Sequence, residues 1–363
     1  MTDSVEIAVA GCGYWGPNLA RNFQAIPGFN LRMLCDTNGS RLDYFRSMYP
    51  HAELRMDVEK ALRSPLLNAV AIATPVHTHY PLARAALLAG KHVFIEKPMA
   101  SSVKQCEELV RIAANEGLIL MVGHTFLYSP AIRKIKDLVD SGTVGRLLYL
   151  SARRLNLGLF QKDINVVWDL APHDLSIIQF ITGEMPVAVN CLGGCNVTRG
   201  IEDVFNLTLR FEDGEVAMLH GSWLDPKKVR DMTIVGCHKM IHYDDLEPLQ
   251  KIRIYDQRVE VPPHYDTFAE FQYSYHYGDM QAPYIRQEEP LKVECQHFLN
   301  CIRTGKAPLT DGRHGLDIIR LLDAASRSLR RNGARVDVLP PARPSPRTSH
   351  AKRPGRRATR RKS

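Results

Sequence analysis

VEIAVAGCGYWG, residues 5–16, joins a strand pattern to a glycine-rich turn. Val5, Ile7 and Val9 alternate with other residues, as the inward-facing positions of a half-buried strand do. The three glycines that follow have the spacing G-x-G-x-x-G at the point where a helix should begin. A strand, a glycine turn and a helix in this order predict a site for an adenine dinucleotide.

Each glycine of this turn has a separate physical role. Gly11 permits a tight turn, and Gly13 lets the backbone approach a pyrophosphate with no side chain in between. Gly16 lets the helix pack closely on the strand. The phosphates are then expected at the free N–H groups of the helix N-terminus, beside Tyr14 and Trp15.

A carboxylate follows the glycine turn at the distance expected for a ribose ligand. The apolar run at 31–35 ends at Asp36, which lies 20 residues after Gly16. A carboxylate accepts hydrogen bonds from the 2′- and 3′-hydroxyls of the adenosine ribose and repels a 2′-phosphate. Asp36 therefore predicts NAD as the cofactor and disfavours NADP.

Residues 1–122 alternate between strand-like and helix-like segments, which is typical of a doubly wound parallel sheet covered by helices. The predicted strands are 5–10, 30–35, 69–73, 92–96 and 118–122, and the predicted helices are 15–26, 39–49, 79–89 and 103–116. Ligands of such sheets bind beyond the carboxyl ends of the strands. The residues expected at those ends, in contact with the cofactor, are Thr74, Pro75, Glu96 and Lys97.

The pattern changes between residues 123 and 335. Helices are predicted at 130–141, 166–182, 288–304 and 313–331, and strands at 146–152, 187–189, 204–211, 216–223, 232–235 and 252–255. These segments favour an α+β domain with an open, largely antiparallel sheet. This domain is expected to bind the substrate, and its open sheet is expected to form the interface of a homo-oligomer, a dimer or a tetramer.

The length of the chain indicates two domains, and the distribution of charge indicates a basic C-terminal tail. The chain has 363 residues, which exceeds the roughly 250 to 300 at which a single core stops growing. Of its 47 Lys and Arg, nine lie in 341–363, which contains no acid, so 38 bases face 39 acids in the rest. Residues 336–363 are therefore predicted to be a basic, disordered tail, and nucleic-acid binding by the folded part is disfavoured.

The cysteines and histidines do not form a metal or disulfide pattern. Eight cysteines are present without a C-x-x-C pair, which indicates reduced thiols in a cytoplasm. The pairs Cys191/Cys195 and His77/His79 lack further ligands, so no metal site is predicted. No apolar run approaches the roughly 20 residues of a membrane span, and the N-terminus does not have the pattern of a secretion signal.

The sequence resembles the Gfo/Idh/MocA oxidoreductases over about residues 5–335. The segments GCGYWG, ATPVHTHYPLARAALLAGKHVFIEKP and WDLAPHDLSII occur in the order of that family. The resemblance implies an N-terminal Rossmann domain, a C-terminal open-sheet domain and a bound nicotinamide. It also implies oxidation of a secondary alcohol, or reduction of a ketone, on a sugar or cyclitol.

Three residues of these motifs are implied to be catalytic. The lysine of the EKP motif corresponds to Lys97, and the histidine of D-x-x-x-H-D corresponds to His173. Imidazole, with an ordinary pKa near 6.5, suits His173 to take the hydroxyl proton, while Lys97 stabilises the developing negative charge on the oxygen. Asp169 lies one helical turn before His173 and either supports the imidazole, contacts a substrate hydroxyl or forms a structural ion pair.

Three further residues are expected near the ligands. His79 matches a recurrent family position beside the cofactor, where it packs or caps. His124 follows the last strand of the first domain and faces the expected cleft, where it contacts substrate. Trp168 is expected either to wall the nicotinamide site or to be part of the core.

RRLNLGLFQKDINVVWDLAPHDLSI, residues 153–177, resembles the nucleotide-sugar branch of the family, which includes UDP-N-acetylglucosamine and UDP-N-acetylglucosaminuronate 3-dehydrogenases. Arg154 and Asn156 are candidates to hold a pyrophosphate or a sugar hydroxyl, since guanidinium binds phosphate oxygens in pairs. Arg153 lies on the opposite face of the strand, so only one of the two arginines should reach the site. Alternatively, both are cations on the sheet surface.

The predicted reaction is NAD-dependent oxidation of the 3-hydroxyl of a UDP-activated amino sugar. A 3-keto product suits a downstream aminotransferase as a partner. A free inositol or aldose dehydrogenase and a deoxysugar ketoreductase remain alternatives within the family. An NAD-sensing scaffold protein is the alternative outside catalysis.

Overall fold

The computed structural model describes residues 4–161, 163–260 and 273–338, which form two sheets and their helices. In this part of the chain, six parallel strands make the first sheet, in the order β3-β2-β1-β4-β5-β6. Their bounds are β1 Val5–Ala10, β2 Phe29–Cys35, β3 Glu53–Arg55, β4 Ala69–Ile72, β5 His92–Glu96 and β6 Leu120–Gly123. The order reverses between β1 and β4, which is where a doubly wound sheet binds its ligand.

Five helices connect these strands within the described residues. They are α1 Gly16–Ala25, α2 Gly39–Arg46, α3 Val58–Leu62, α4 Val76–Leu88 and α5 Val103–Asn115. The amphipathic pattern of α5 shows why they form, because Ser102 caps its first turn and the residues Cys106, Leu109, Ile112 and Ala113 bury one face. The predicted fold class is confirmed, whereas β3 and α3 were not predicted because they are too short to show a periodic pattern.

The space around two of the three glycines in the first turn excludes a Cβ. Gly11 has φ +97°, and a Cβ there would lie 2.5 Å from the carbonyl oxygen of Ala73. A Cβ on Gly16 would lie 1.9 Å from the carbonyl oxygen of Gly11, so the start of α1 packs on the turn itself. Gly13 differs, because a Cβ there would meet only Nη1 of Arg41, at 3.6 Å. The backbone at Gly13 is therefore open toward the side on which a ligand would lie.

The second sheet has nine strands in the described residues, in the order β14-β13-β12-β11-β7-β10-β9-β8-β15. They are β7 Leu147–Leu157, β8 Ala188–Gly194, β9 Val204–Arg210, β10 Val216–Ser222, β11 Leu224–Gly236, β12 Met240–Asp244, β13 Ile252–Glu260, β14 Ser274–Gln281 and β15 Val336–Asp337. All pairs are antiparallel except β10 with β7. This agrees with the predicted open, largely antiparallel sheet, although β12 and β14 were not predicted.

Four helices accompany the second sheet and bring it against the first. They are α6 Pro130–Asp140, α7 Val166–Thr182, α8 Pro290–Thr304 and α9 Gly312–Leu329, and a 3₁₀ turn, Thr125–Tyr128, precedes α6. The ring of Phe298 in α8 lies 6.2 Å from that of Phe29 and 5.7 Å from that of Phe94, both in the first sheet. The amide of Val122 in β6 donates to the carbonyl of Thr310 at 2.8 Å. Helix α9 joins the two sheets, because its Gly315 packs on Val122 of β6 and its Ser328 accepts from the amide of Cys191 in β8 at 2.8 Å.

The C-terminal boundary differs from the predicted one by a few residues. Val336 and Asp337, assigned to the tail, form β15 and pair with β8, because Val336 is apolar and almost fully buried there. The rest of the predicted tail, from residue 339, lies outside the described residues. None of the helices described is long and apolar enough to cross a membrane.

Two glycine substitutions separate the structural and the binding roles of the first turn. Gly16→Ala is expected to lower the free energy of unfolding by about 2–4 kcal/mol, because its Cβ meets backbone that cannot move aside. Gly13→Ala is the matched control and should change that free energy by less than about 0.5 kcal/mol, while weakening dinucleotide binding. Urea unfolding and calorimetric titration measure the two effects. Equal stability of the two variants would contradict this account.

Candidate active site

Lys97 and Asp169 meet where the two sheets face each other. Lys97 follows β5 of the first sheet, and Asp169 lies in the first turn of α7. The ammonium of Lys97 donates to the backbone carbonyl of Asp169 at 2.9 Å and lies 3.4 Å from its carboxylate Oδ1. The other carboxylate oxygen, Oδ2, accepts from the indole N–H of Trp223 at 3.1 Å. The carboxylate is therefore held from both sides and fixes the position of the ammonium.

His173 lies one turn further along α7, beside this ion pair. Its Nδ1 is buried without a hydrogen-bond partner among the described residues, and its ring meets that of Phe126 edge-on at 5.2 Å. Burial lowers the pKa of His173 well below 6.5, and the nearby cations Lys97, Arg154 and Arg230 lower it further. At neutral pH the imidazole is therefore uncharged and able to accept a proton.

His124 lies behind the same cluster. The side chain is 2% exposed, and its Nδ1 has no partner within the described part of the chain. Its ring meets that of His314, in α9, at 5.1 Å. Burial, His314 and Lys97 lower the pKa of His124 well below 6.5, so this imidazole is neutral too.

Arg154 is buried and fully paired. Its guanidinium donates to both carboxylate oxygens of Asp174, at 3.0 and 2.8 Å, and lies over the ring of Phe126 at 4.8 Å. Arg153 lies on the opposite face, where it pairs with Asp231 at the sheet surface. The role predicted for Arg154, binding of a pyrophosphate or a sugar hydroxyl, stays a prediction, and such a ligand would compete with Asp174.

Asn156 and Trp168 border the cluster less directly. The amide of Asn156 and the indole of Trp223 both pack on Gly158, which brings Asn156 close to the Asp169 contact. The indole N–H of Trp168 donates to Ser326 of α9 at 2.9 Å. Trp168 is thus tied to the helix layer, and its predicted contact with ligand stays a prediction.

The turn before α1 fits a dinucleotide. The helix has no side-chain cap and no acidic residue in its first turn, whereas Asn38 caps α2. Backbone N–H groups at such a terminus are free to bind phosphate, and a bare Gly13 leaves room for it. The indole of Trp15 lies beside the carboxyl of Glu96, and Tyr14 is 87% exposed.

Asp36 is built into this turn. Its carboxylate accepts from the amides of Cys12 and Asn38, both at 2.8 Å, and is 6% exposed. Nη1 of Arg41, on α2, lies 3.6 Å from Oδ2. The two amide bonds hold Asp36 at the end of β2, the position at which a ribose diol would meet it.

His79 joins the two loops that follow β4 and β5. Nε2 lies 2.8 Å from the carbonyl oxygen of Thr74, and Nδ1 lies 2.8 Å from that of Pro98. The side chain is 1% exposed. Thr74 and Pro75 therefore stand at a fixed distance from the loop that contains Lys97. His79 positions these loops and is itself closed off from any ligand.

A buried carboxyl pair lies on the other side of Lys97. Burial raises the pKa of Glu96 to about 7, against the opposing effects of Lys97 and Trp15. Glu294 of α8 is fully buried and accepts from the hydroxyl of Thr125 at 2.7 Å. Burial, followed by Glu96, raises the pKa of Glu294 well above its ordinary value. Burial therefore disfavours the charged form of both carboxyls, and Glu96 is partly protonated at neutral pH.

Some residues of this cluster carry no sequence signal. Trp223 follows β10 and donates to Asp169 across 54 positions of sequence, and Arg230 of β11 acts electrostatically on His173. Neither belongs to a motif, and both look like ordinary strand residues. Asp174, in contrast, lies within the D-x-x-x-H-D motif, and its pairing with Arg154 follows from the packing of α7 on β7.

Two models of one protein family match the chain. The model for the oxidoreductase family with an NAD-binding Rossmann fold, GFO/IDH/MocA, matches residues 5–124. The model for the GFO/IDH/MocA C-terminal domain matches residues 132–242. Together they include the glycine turn, Lys97 and His173.

Individual relatives extend this similarity. UDP-N-acetylglucosamine 3-dehydrogenase of Acidithiobacillus ferrooxidans is 28% identical over 87% of this chain and 94% of its own. Its solved structure superposes with a TM-score of 0.77 at 25% identity, over 91% of this chain and 99% of that one. A 1-carboxy-3-chloro-3,4-dihydroxycyclohexa-1,5-diene dehydrogenase of Comamonas testosteroni is 31% identical over 50% of this chain, which spans about half, 49%, of that relative.

The titration of His173 tests the electrostatics of the site without a substrate. We expect its midpoint below pH 6.5, so that the ring is mostly neutral at pH 6.5, because burial and neighbouring cations destabilise the imidazolium. Lys97→Met should raise the midpoint, and Lys136→Met, on the surface of α6, should not change it. NMR of the imidazole protons measures it, with His173→Asn identifying the signal. A midpoint of His173 above pH 6.5 would indicate that a carboxylate stabilises its imidazolium, and would contradict this description of the site.

Proposed function

The chain belongs to the Gfo/Idh/MocA family of oxidoreductases, and we propose that it oxidises the 3-hydroxyl of a UDP-activated amino sugar. The observation that carries this proposal is the cluster of Lys97, Asp169 and His173 beside an open glycine turn. It supplies a neutral base and a fixed cation next to a site that suits a dinucleotide. These are the parts that oxidation of an alcohol requires.

The side chains divide the work of the reaction. The substrate hydroxyl binds between Lys97 and His173, and His173 takes its proton. A bound nicotinamide supplies the acceptor for the hydrogen that leaves the carbon, with its two electrons. Lys97 stabilises the negative charge that develops on oxygen as the carbonyl forms. Asp169 holds Lys97 in place and is itself held by Trp223. The carboxylate of Asp169 therefore contacts Lys97 and Trp223 rather than His173.

The identity of the sugar rests on similarity along most of the chain. The UDP-N-acetylglucosamine 3-dehydrogenase matches 87% of it, including both sheets. We propose UDP-N-acetylglucosamine or its uronate as substrate, and an aminotransferase that consumes the 3-keto product. The outward face of the second sheet exposes Tyr149, Leu192 and Met218, which supports a homo-oligomer. All eight cysteines are free thiols, which supports a reducing cytoplasm.

The substrate is tested by following NADH formation with UDP-N-acetylglucosamine, its uronate, free N-acetylglucosamine and myo-inositol. Turnover is expected with a UDP-sugar, and His173→Asn should lower kcat by at least about 100-fold because proton transfer contributes that much. Lys136→Met is the control and should retain full turnover. Turnover with myo-inositol alone would replace this proposal with a polyol dehydrogenase. Full activity of both His173→Asn and Lys97→Met would favour a non-catalytic role.

We also propose NAD, rather than NADP, as the cofactor, on the basis of Asp36. Asp36→Ser should raise kcat/KM with NADP relative to NAD by at least about tenfold, since the repelling carboxylate is lost and Arg41 stays beside the site. The double variant with Arg41→Ala should lose most of this gain with NADP. Melting temperatures monitor the two lost amide bonds. A wild type that uses both cofactors equally would contradict the assignment.

A further inference from the structure

Arg230 lies on the wall of the cleft that belongs to the second sheet. It is in β11, directly opposite Arg154 of β7, and opposite residues of an antiparallel pair share one face. That face is the one covered by α7, since Arg154 binds Asp174 there. Arg230 acts on His173 electrostatically and also lies near Tyr14 of the glycine turn. It thus stands between the candidate base and the first sheet.

The two neighbouring guanidinium groups are compensated very differently. The side chain of Arg154 is 7% exposed, and its guanidinium donates to both carboxylate oxygens of Asp174, at 3.0 and 2.8 Å. Arg230 is 38% exposed, and its only ion pair in the described structure is with Asp245, at 3.8 Å. Among the described residues its guanidinium donates no hydrogen bond to a side chain. The guanidinium N–H groups of Arg230 therefore have no hydrogen-bond acceptor among the described side chains, and part of the side chain is exposed.

The carboxylate of Asp245 is already occupied by other groups. Its Oδ1 accepts from the hydroxyl of Tyr243 at 3.0 Å and lies 3.5 Å from the ammonium of Lys251. The side chains of Arg154, Arg230 and Lys251 thus bring three positive charges against the two carboxylates of Asp174 and Asp245. Burial and the adjacent Arg154 lower the pKa of Arg230, which is the cost of an incompletely compensated cation.

We propose that Arg230 is the receptor for a phosphate group of the substrate, and that it selects nucleotide-linked sugars over neutral ones. A planar guanidinium binds two oxygens of such a group at once. This inference rests on the proposed oxidation of a nucleotide-linked sugar and names the residue that recognises its charge. A neutral sugar would leave Arg230 with the shared carboxylate alone.

The dinucleotide is the other source of phosphate in this cleft. Its phosphates have donors of their own, because the N-terminus of α1 is uncapped and Gly13 leaves the backbone bare. Arg230 stands on the opposite wall, on the same side as Arg154 and α7. The anion that it binds is therefore assigned to the substrate, and the KM for NAD provides the comparison.

The experiment combines binding and kinetics on the full chain. Calorimetric titration of UDP into the NAD-saturated protein gives a Kd that needs no turnover. Arg230→Ala should weaken UDP binding at least tenfold and raise the KM for UDP-N-acetylglucosamine by a similar factor, with kcat within threefold of wild type. Arg230→Lys should recover part of this loss, because it keeps the charge but not the paired geometry.

Arg153→Ala is the matched control, because it removes an arginine of the same sheet from the opposite face. It should leave the Kd for UDP and the KM for NAD within twofold of wild type. For Arg230→Ala the KM for NAD should also stay within twofold. An increase in the KM for NAD without weaker UDP binding would show that Arg230 binds the cofactor, and would overturn the inference.

The two proposals fail in different ways. If the wild type oxidises no UDP-sugar, the proposed function fails, and a UDP Kd that depends on Arg230 still supports the anion receptor. If UDP does not bind the wild type, or binds equally well after Arg230→Ala, the inference about Arg230 is overturned. In that case, turnover of a neutral sugar would still support His173 as the base of a family oxidoreductase.

Discussion

The contact between Lys97 and Asp169 links the two halves of the structure at the point where chemistry is expected. Lys97 follows a strand of the first sheet, and Asp169 lies in the first turn of the helix that packs on the second. The ammonium of Lys97 donates to the backbone carbonyl and to the carboxylate of Asp169. The indole N–H of Trp223 donates to the other carboxylate oxygen. A small shift of one sheet on the other would break these bonds together. Helix α9 resists such a shift, because its Gly315 packs on the first sheet and its Ser328 accepts from a backbone amide of the second.

The electrostatics of the site follow from this arrangement. The carboxylate of Asp169 pairs with Lys97 and not with the imidazole of His173. His173 therefore has cations around it and no carboxylate partner among the described residues. A ring in that environment is neutral, which a base requires, but it releases an acquired proton readily. The buried carboxyls on the other side of Lys97 compensate these cations weakly, because burial raises the pKa of Glu96 and Glu294 and disfavours their charged forms. An anionic ligand would offset the excess of positive charge.

Local patterns predicted most of the first sheet, because parallel strands there are continuous apolar runs and each glycine of the turn has a steric requirement. They failed for β3 and β14, where no residue is fully buried and no apolar periodicity appears. The motif residues of the site were found because their signal lies within one segment of chain. Trp223 and Arg230 were not found, because their positions depend on which strands pair, and pairing is a long-range property.

Arg154 and Arg230 show what a sequence pattern leaves out. Alternation along β7 identifies the face of a residue, and Arg154 does lie on the face toward α7. Whether a cation on that face is available to a ligand depends on its partner. Asp174 lies on the adjacent helix and saturates Arg154, whereas the carboxylate nearest Arg230 is shared with Lys251 and Tyr243. The cation available for recognition is therefore the one on the neighbouring strand, outside the motif, because only the folded arrangement distributes the counter-charges.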